Sequence, residues 1–402
     1  MEKRTKNLRL VGREEISLGE LIHQAVRRTI EQAVEEELRV ALGAGPYERR
    51  AERGGYRNGS KARTLSGPTG PVELELPRGR VARDDGGSEE FQSTLVPRYQ
   101  RRMREINEAV AGVYLSGGNT RRIRGALKPL LKNTPLSKSA VSRIVGTLRG
   151  DWERWRAQSL TELNVVYLYL DAIALKVRSA GKVTGLPVLA AVAVLADGTK
   201  RLVSLEVCGA ESGSAWDGFL EALIARGLKA PRLCIIDGNA GLHRAITTAW
   251  RSTKIQRCAV HKLRNILRKT PQHAHEEITA DFHLIVYAAS LDAARGARDS
   301  FVKKWSKRCS GAVDSLNEAG DDLLTFYSFP KEQWKTIRTT NVIERLNEEF
   351  RRRVKTQGAF PNEDCAIVLL YSLVASGQIN LRRLDGYDKI VDVVGKEADQ
   401  AA

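Results

Sequence analysis

The hydrophobic positions of this 402-residue chain change rhythm several times. From Ser17 to Gly43 apolar residues recur at helical spacing between acidic and basic flanks. The spacing predicts helices that serve self-association or pack on their own domain. In residues 53–80, Val72, Leu74 and Leu76 alternate with Glu73 and Glu75, the signature of a half-exposed strand, and the preceding Gly-Pro-Thr-Gly signals a turn. Residues 100–149 return to helix: RRIRGALKPLL capped by Asn119 or Thr120, a KNTP turn, then LSKSAVSRIVGTL capped by Ser137. This pair resembles a helix-turn-helix.

From residue 163 the pattern turns to strand. NVVYLYLDAIALKVR is an almost continuous apolar run, as in a strand buried on both faces. GLPVLAAVAVLADG and KRLVSLEVCG follow as strands around an Asp197-Gly198 turn. A serine-capped helix comes next, then strand-turn-helix in PRLCIIDGNAGLHRAI and strand into helix in KIQRCAVHKLRNIL. The fold class is therefore α/β, with a mixed sheet. Residues 262–335 read as all helical. RTTNVIERLNEEFRRRVKTQG predicts one more helix, with Val342, Leu346, Phe350 and Val354 as its stripe and Ile343 widening it. Asn341 is its expected N-cap and Gly358 its stop. Glu344, Asn347 and Arg351 share one flank, and Glu348–Arg352 reads as an ordinary i,i+4 pair.

Charge sharpens the picture. The formal net charge is +17, and residues 45–150 hold 21 Lys/Arg against 10 Asp/Glu. Such concentration is an electrostatic footprint for a polyanion, nucleic acid above all. Arg57, Asn58, Lys61, Arg63, Arg78 and Arg80 of the β-element, and Arg121, Arg122, Lys138, Ser142 and Arg143 of the helices, are the candidate DNA contacts. The start MEKRTKNLRL lacks an apolar signal core, and the longest apolar run, 188–196, is too short to span a bilayer. Five scattered cysteines suit a reducing cytoplasm, so a cytoplasmic, nucleoid-associated protein without membrane contact is expected. No Gly-Lys-Ser/Thr loop or G-x-G-x-x-G is present, which argues against an ATP or dinucleotide enzyme.

Three acids carry candidate chemistry. Asp171 interrupts an apolar strand, Asp237 closes another, and Glu344 lies on the later helix. Alone, Asp171 reads as a paired strand carboxylate and Asp237 as a turn residue. Together they suit two hard cations, Mg²⁺ or Mn²⁺, acting on a phosphodiester. Glu348 is expected to face solvent and Glu349 the edge of the apolar stripe.

The segments RNG…PRGR, GGNTRRI, SKSAVSRI, YLYLDAIALKVR, ESGSAWDGFLEAL, LCIIDGNAGL, QRCAVHKLRNIL and RTTNVIERLNEEFRRRVK, in this order, resemble the mutator-type transposases of bacterial insertion sequences. GGNT departs from the Ser-Thr-Arg pattern frequent there. The resemblance implies an RNase H-like catalytic domain with Asp171, Asp237 and Glu344 as a DDE triad, interrupted by a helical insertion. It implies a homodimer or higher oligomer that binds double-stranded DNA at terminal inverted repeats, cleaves strands and joins 3′-hydroxyls to target DNA. An RNase H-like nuclease and an inactive DNA-binding regulator are the alternatives. The implied order is an N-terminal helical region (1–44), a basic DNA-binding region (45–150), the first catalytic part (160–261), the insertion (262–335) and the catalytic completion (336–402). Cys258-x-x-His261 resembles the family's Cys/Asp-x-x-His motif. It gives His261 a place beside the site or a structural role, and Cys258 a packing role. Trp216 reads either as core or as a base-stacking residue, and Arg351 as a phosphate contact on the Glu344 flank.

Overall fold

A computed structural model describes residues 17–48, 50, 53–116, 120–131, 136–179, 182–355, 360 and 362–395. Asn119, the KNTP turn and Gly358, named above as cap, turn and stop, lie outside these residues, as does the Arg121 side chain. The chain divides into two compact units, residues 1–145 and 146–402.

In the first unit, α1 (Leu18–Leu42) opens with a reciprocal capping box between Ser17 and Glu20 and closes at Gly43 in the left-handed conformation. Strands β1 (Gly55–Gly67), β2 (Gly70–Ala82) and β3 (Ser88–Glu90) form an antiparallel sheet in that order. Val72, Leu74 and Leu76 point inward and Glu73 and Glu75 outward, as the alternation required. Val34 of α1 shares one core with Leu65, Val72, Leu74, Leu76 and Val96. Of the two expectations for this helical region, the contacts seen are those of packing on its own domain. Val34, Leu38 and Leu42 recur on one helix face, and burying that face makes α1 a single helix of the hairpin unit.

Next come α2 (Arg104–Leu115), α3 (Thr120–Ala126), α4 (Lys128–Leu131) and α5 (Lys138–Ala157). Ser137 caps α5 by accepting from the Ala140 N–H at 3.1 Å. The second helix was expected to end by residue 149. It continues to Ala157, past the boundary at residue 145, because Arg149 bonds Glu153 one turn on and Trp152 is buried.

The second unit is built on β4 (Val165–Ser179), β5 (Lys182–Leu195), β6 (Lys200–Val207), α6 (Gly213–Ala225), β7 (Leu233–Ile236), α7 (Ala240–Ala249), β8 (Lys254–Arg257) and α8 (Ala259–Arg268). The sheet order is β6-β5-β4-β7-β8. The first three strands are antiparallel, and β7 and β8 run parallel to β4. Leu168, Leu170, Cys234 and Ile236 pack one face against Trp216, Phe219, Leu242 and Ile246 of α6 and α7. These helices meet closely, since a Cβ on Gly241 would stand 2.9 Å from the Gly213 Cα.

Four helices lead away and back: α9 (His275–Val286), α10 (Leu291–Trp305), α11 (Ser310–Ala319) and α12 (Trp334–Ile337). Then α13 (Asn341–Lys355) and α14 (Glu363–Ala375) complete the unit. The opposite sheet face meets this part of the chain: the Tyr167 hydroxyl donates to Gln333 at 2.5 Å and the Tyr169 hydroxyl to the Thr336 carbonyl at 3.3 Å. Among the described residues no helix is long and apolar enough to cross a membrane.

Candidate active site

Strand register sets the first two acids side by side. Tyr169 of β4 stands opposite Ile235 of β7, and Ile236 stands opposite Arg257 of β8. Asp171 lies two residues beyond Tyr169, Asp237 two beyond Ile235, and Cys258 one beyond Arg257. All three therefore emerge at one level along the same sheet edge, on neighbouring strands about 4.8 Å apart. The Cys258 N–H still bonds the Ile236 carbonyl at 2.8 Å. Gly238 follows Asp237 at φ +110°, where a Cβ would lie 2.3 Å from the Arg257 guanidinium. Only glycine turns the chain away there without collision.

The third acid comes from α13, whose Ile343, Leu346, Phe350 and Val354 are buried. Asn341 is its first helical residue, so Thr340 rather than Asn341 takes the capping position. Glu344, Asn347, Glu348 and Arg351 line a pocket of about 280 Å³ with Asp171, Asp237, His261 and Arg264. The Asn347 amide donates to Asp171 Oδ2 at 2.8 Å, and the Ala172 N–H donates to Oδ1 at 2.9 Å. Asp237 Oδ1 accepts from the Asn239 N–H at 3.0 Å.

Glu344 is held on the other side. Its Oε1 accepts from Thr340 Oγ1 at 2.7 Å and lies 3.6 Å from His261 Nδ1, while Arg264 lies 3.9 Å from Oε2. The Thr340 N–H reaches Cys258 Sγ at 3.3 Å, and the Ala259 N–H bonds the Arg338 carbonyl at 3.0 Å. The chain thus leaves the sheet at α8 and returns to the same point before α13. Among the described residues, the set of three ligand atoms that lies within 4.8 Å is Cys258, His261 and Glu344. The expected tight convergence of three carboxylates is therefore not seen. Glu344 lines their pocket but is turned toward Thr340.

The pocket gathers four acids, Asp171, Asp237, Glu344 and Glu348, with His261, Arg264 and Arg351. Burial and then the Asp237 carboxylate push the Asp171 carboxyl up to about 7, against the pull of the Ala172 N–H and His261. The Cys258 hydrogen bond raises His261, outweighing burial, and the charges of Glu344 and Asp237 add to it. Burial would raise the Cys258 thiol, yet hydrogen bonds from His261 and Thr340 bring it below its ordinary value. Oxygen donors around a carboxyl so destabilised fit a hard divalent cation.

Other candidates fall elsewhere. Trp216 is 0% exposed, packs edge-on against Phe219 and donates its indole N–H to Glu211 at 3.4 Å. The base-stacking expectation is corrected: no ring face is open to a base. Arg57 pairs with Glu35 at 2.6 Å, and Arg63 donates to the carbonyls of Val96, Pro97 and Gln100. Both brace the first unit through these contacts. Arg78 pairs with Glu90 at 3.1 Å. Asn58, Lys61 and Arg80 are exposed, as are Arg122, Lys138, Ser142 and Arg143. Glu348 is exposed at the pocket rim. Arg352 bonds Glu349, one residue nearer than the expected Glu348, since i,i+3 side chains also share a face.

Sequence reasoning left Thr340, Arg264 and Asn347 out of the site. Asn347 had a signal, its place on the Glu344 flank. Thr340 and Arg264 had none.

A family model described as "Transposase, Mutator family" matches residues 2–383. The chain is 34% identical over 372 residues to the transposase for insertion sequence element ISRM5 of Rhizobium meliloti, covering 92% of this chain and 91% of that one. It is 33% identical to the transposase for IS406 of Burkholderia multivorans over 88% of this chain and 89% of the relative. It is 33% identical to the transposase for IS1081 of Mycobacterium tuberculosis over 83% and 79%.

Proposed function

The chain belongs to the Mutator family of transposases, and on that premise we propose that it binds the terminal inverted repeats of an insertion sequence and performs both strand cleavage and strand transfer. The second unit then acts as an RNase H-like catalytic domain. Its sheet, antiparallel through β6, β5 and β4 and parallel through β7 and β8, supports that reading. The observation that carries the proposal is the register that sets Asp171 and Asp237 level on adjacent strands, with Glu344 on the wall of the same pocket.

Asp171, Asp237 and Glu344 would hold Mg²⁺ or Mn²⁺, up to two ions, which when bound supply an activated water or 3′-hydroxyl and stabilise the leaving oxygen. The chain's own groups prepare that chemistry. Asn347 and the Ala172 N–H orient the Asp171 carboxylate, and the Asn239 N–H fixes Asp237. Release of the Thr340 hydrogen bond frees Glu344 to turn toward the aspartates. Arg264 and Arg351, both on the pocket wall, meet the phosphate charge.

End recognition falls to the first unit. Burial first, and then the charges of Arg143 and Arg101, hold the Arg102 guanidinium below its ordinary value. This crowding of cations around α5 suits a phosphate backbone. The protein acts as a homodimer or larger assembly at the nucleoid, in the bacterial cytoplasm.

The test is incubation of labelled element ends with Mg²⁺ and strand-resolved mapping of products. Cut ends joined to target DNA are expected. Hydrolysis without joining would select a nuclease instead. Asp171→Asn, Asp237→Asn and Glu344→Gln should each abolish both steps and leave end binding intact. Strand transfer surviving in one variant removes that residue from the triad.

A further inference from the structure

The opposite flank of α13 opens on a second, larger pocket of about 550 Å³. It is lined by Lys200 of β6, Lys335 of α12, Arg345 of α13 and Arg382 from the segment after α14. Lys335, Arg345 and Arg382 are exposed, and none has a carboxylate partner among the described residues. The two acids of the pocket are engaged: Glu349 bonds Arg352, and Asp385 accepts from Thr336 Oγ1 at 3.2 Å. Burial keeps the Lys200 ammonium below its ordinary value, and Arg345 adds to that against the pull of Asp385.

A second observation is independent of charge. Thr339 lines the same pocket and is 6% exposed, yet its hydroxyl has no hydrogen-bond partner. Buried hydroxyls are rarely left unpaired, and an oxyanion in the pocket would complete this one. Arginines, an ammonium and a hydroxyl converging on one cavity match a phosphodiester oxygen.

We propose that this pocket holds a phosphodiester of a DNA backbone, gripped by Arg345, Arg382 and Lys335 and accepting a hydrogen bond from Thr339. The inference rests on the transposase reading for its choice of polyanion. The pocket and the acidic site lie on two flanks of one helix, about 10–12 Å across. A strand reacting at Asp171 and Asp237 would have to pass close by. That strand is either the element's end or the target.

The test uses the full chain, an Arg345→Ala/Arg382→Ala double variant and Thr339→Val. Affinity for a random duplex is measured across salt concentrations, alongside cleavage of element ends and joining of pre-cut ends to a plasmid. In the double variant the slope of log affinity against log salt should fall by about one, the loss of the single phosphate contact that the pocket makes. Thr339→Val should bind about tenfold more weakly, the worth of one hydrogen bond to a charged group, with Tm unchanged or raised. Joining lost with end cleavage retained assigns the pocket to target DNA, and loss of both assigns it to the element's end. An unchanged salt slope in the double variant, or unchanged affinity in Thr339→Val, overturns the proposal. A wild-type chain that binds with the expected slopes but neither cuts nor joins would sink the catalytic reading and leave this pocket standing.

Discussion

At the scale of single residues the site rests on small groups around the acids. Asn347→Ala removes the donor that orients Asp171. Cleavage is expected to fall about 10–100-fold, the usual effect of losing a partner that orients a ligand, with end binding unchanged in a mobility-shift assay. Trp216→Ala should destabilise the protein by about 3–5 kcal/mol because it empties a buried site, measured by thermal or denaturant unfolding. Trp216→Phe should keep cleavage near normal, whereas a base-stacking residue would show its loss in cleavage before stability. Much of this site was legible. A lone carboxylate in an apolar strand stands out, and so does one at a strand's end. Glu344 was visible only through the flank it shares with Asn347. Thr340 was not visible, because its importance comes from meeting Cys258, 82 residues away in sequence. No local pattern encodes such a return.

At the scale of elements, β8, α8 and α11 are tied by one carboxylate. Glu318 takes hydrogen bonds from Arg257 and Lys262, and both cations are buried. Arg257 first, and Lys262 after it, hold the Glu318 carboxyl down at about 2, against burial. A depressed acid contributes stability above its unfolded value of 4.5 and loses it as pH falls toward about 2. The acid limb of Tm against pH should therefore flatten in Glu318→Gln. The same variant should lose about 1–2 kcal/mol at neutral pH, less than the ~3–5 of a fully buried pair because Glu318 is half exposed and screened. Periodicity foretold most of these helices and strands. It misjudged where α5 ends, since the residues that prolong it, Arg149, Trp152 and Glu153, are set by pairing and burial rather than by a stop signal.

At the scale of the whole molecule, the basic region cannot be cut from the helix before it. A fragment of residues 45–150 lacks Val34 and Leu38, which fill the core over β2, and should unfold at low denaturant. A fragment of 17–157 keeps α1 and all of α5. It should fold, as read by circular dichroism, and bind element ends with steep salt dependence. Charge segregation alone located this region, and the packing of α1 was the part that composition hid. The return of the chain to its point of departure has an evolutionary consequence. The helices between Ala259 and Arg338 hang from a closed neck. Lengthening such an excursion costs only about 0.6 kcal/mol of closure entropy per doubling, and the spacing of Cys258, His261 and Glu344 does not feel it. Lineages should therefore differ in length at 269–274, 287–290 and 306–309, between the helices. Residues 338–347 should keep a fixed count, since one inserted residue would rotate Glu344 by about 100° off its flank. Aligning distant relatives tests this directly. Gaps falling inside 338–347 in active elements would show that the neck is not what holds the site in register.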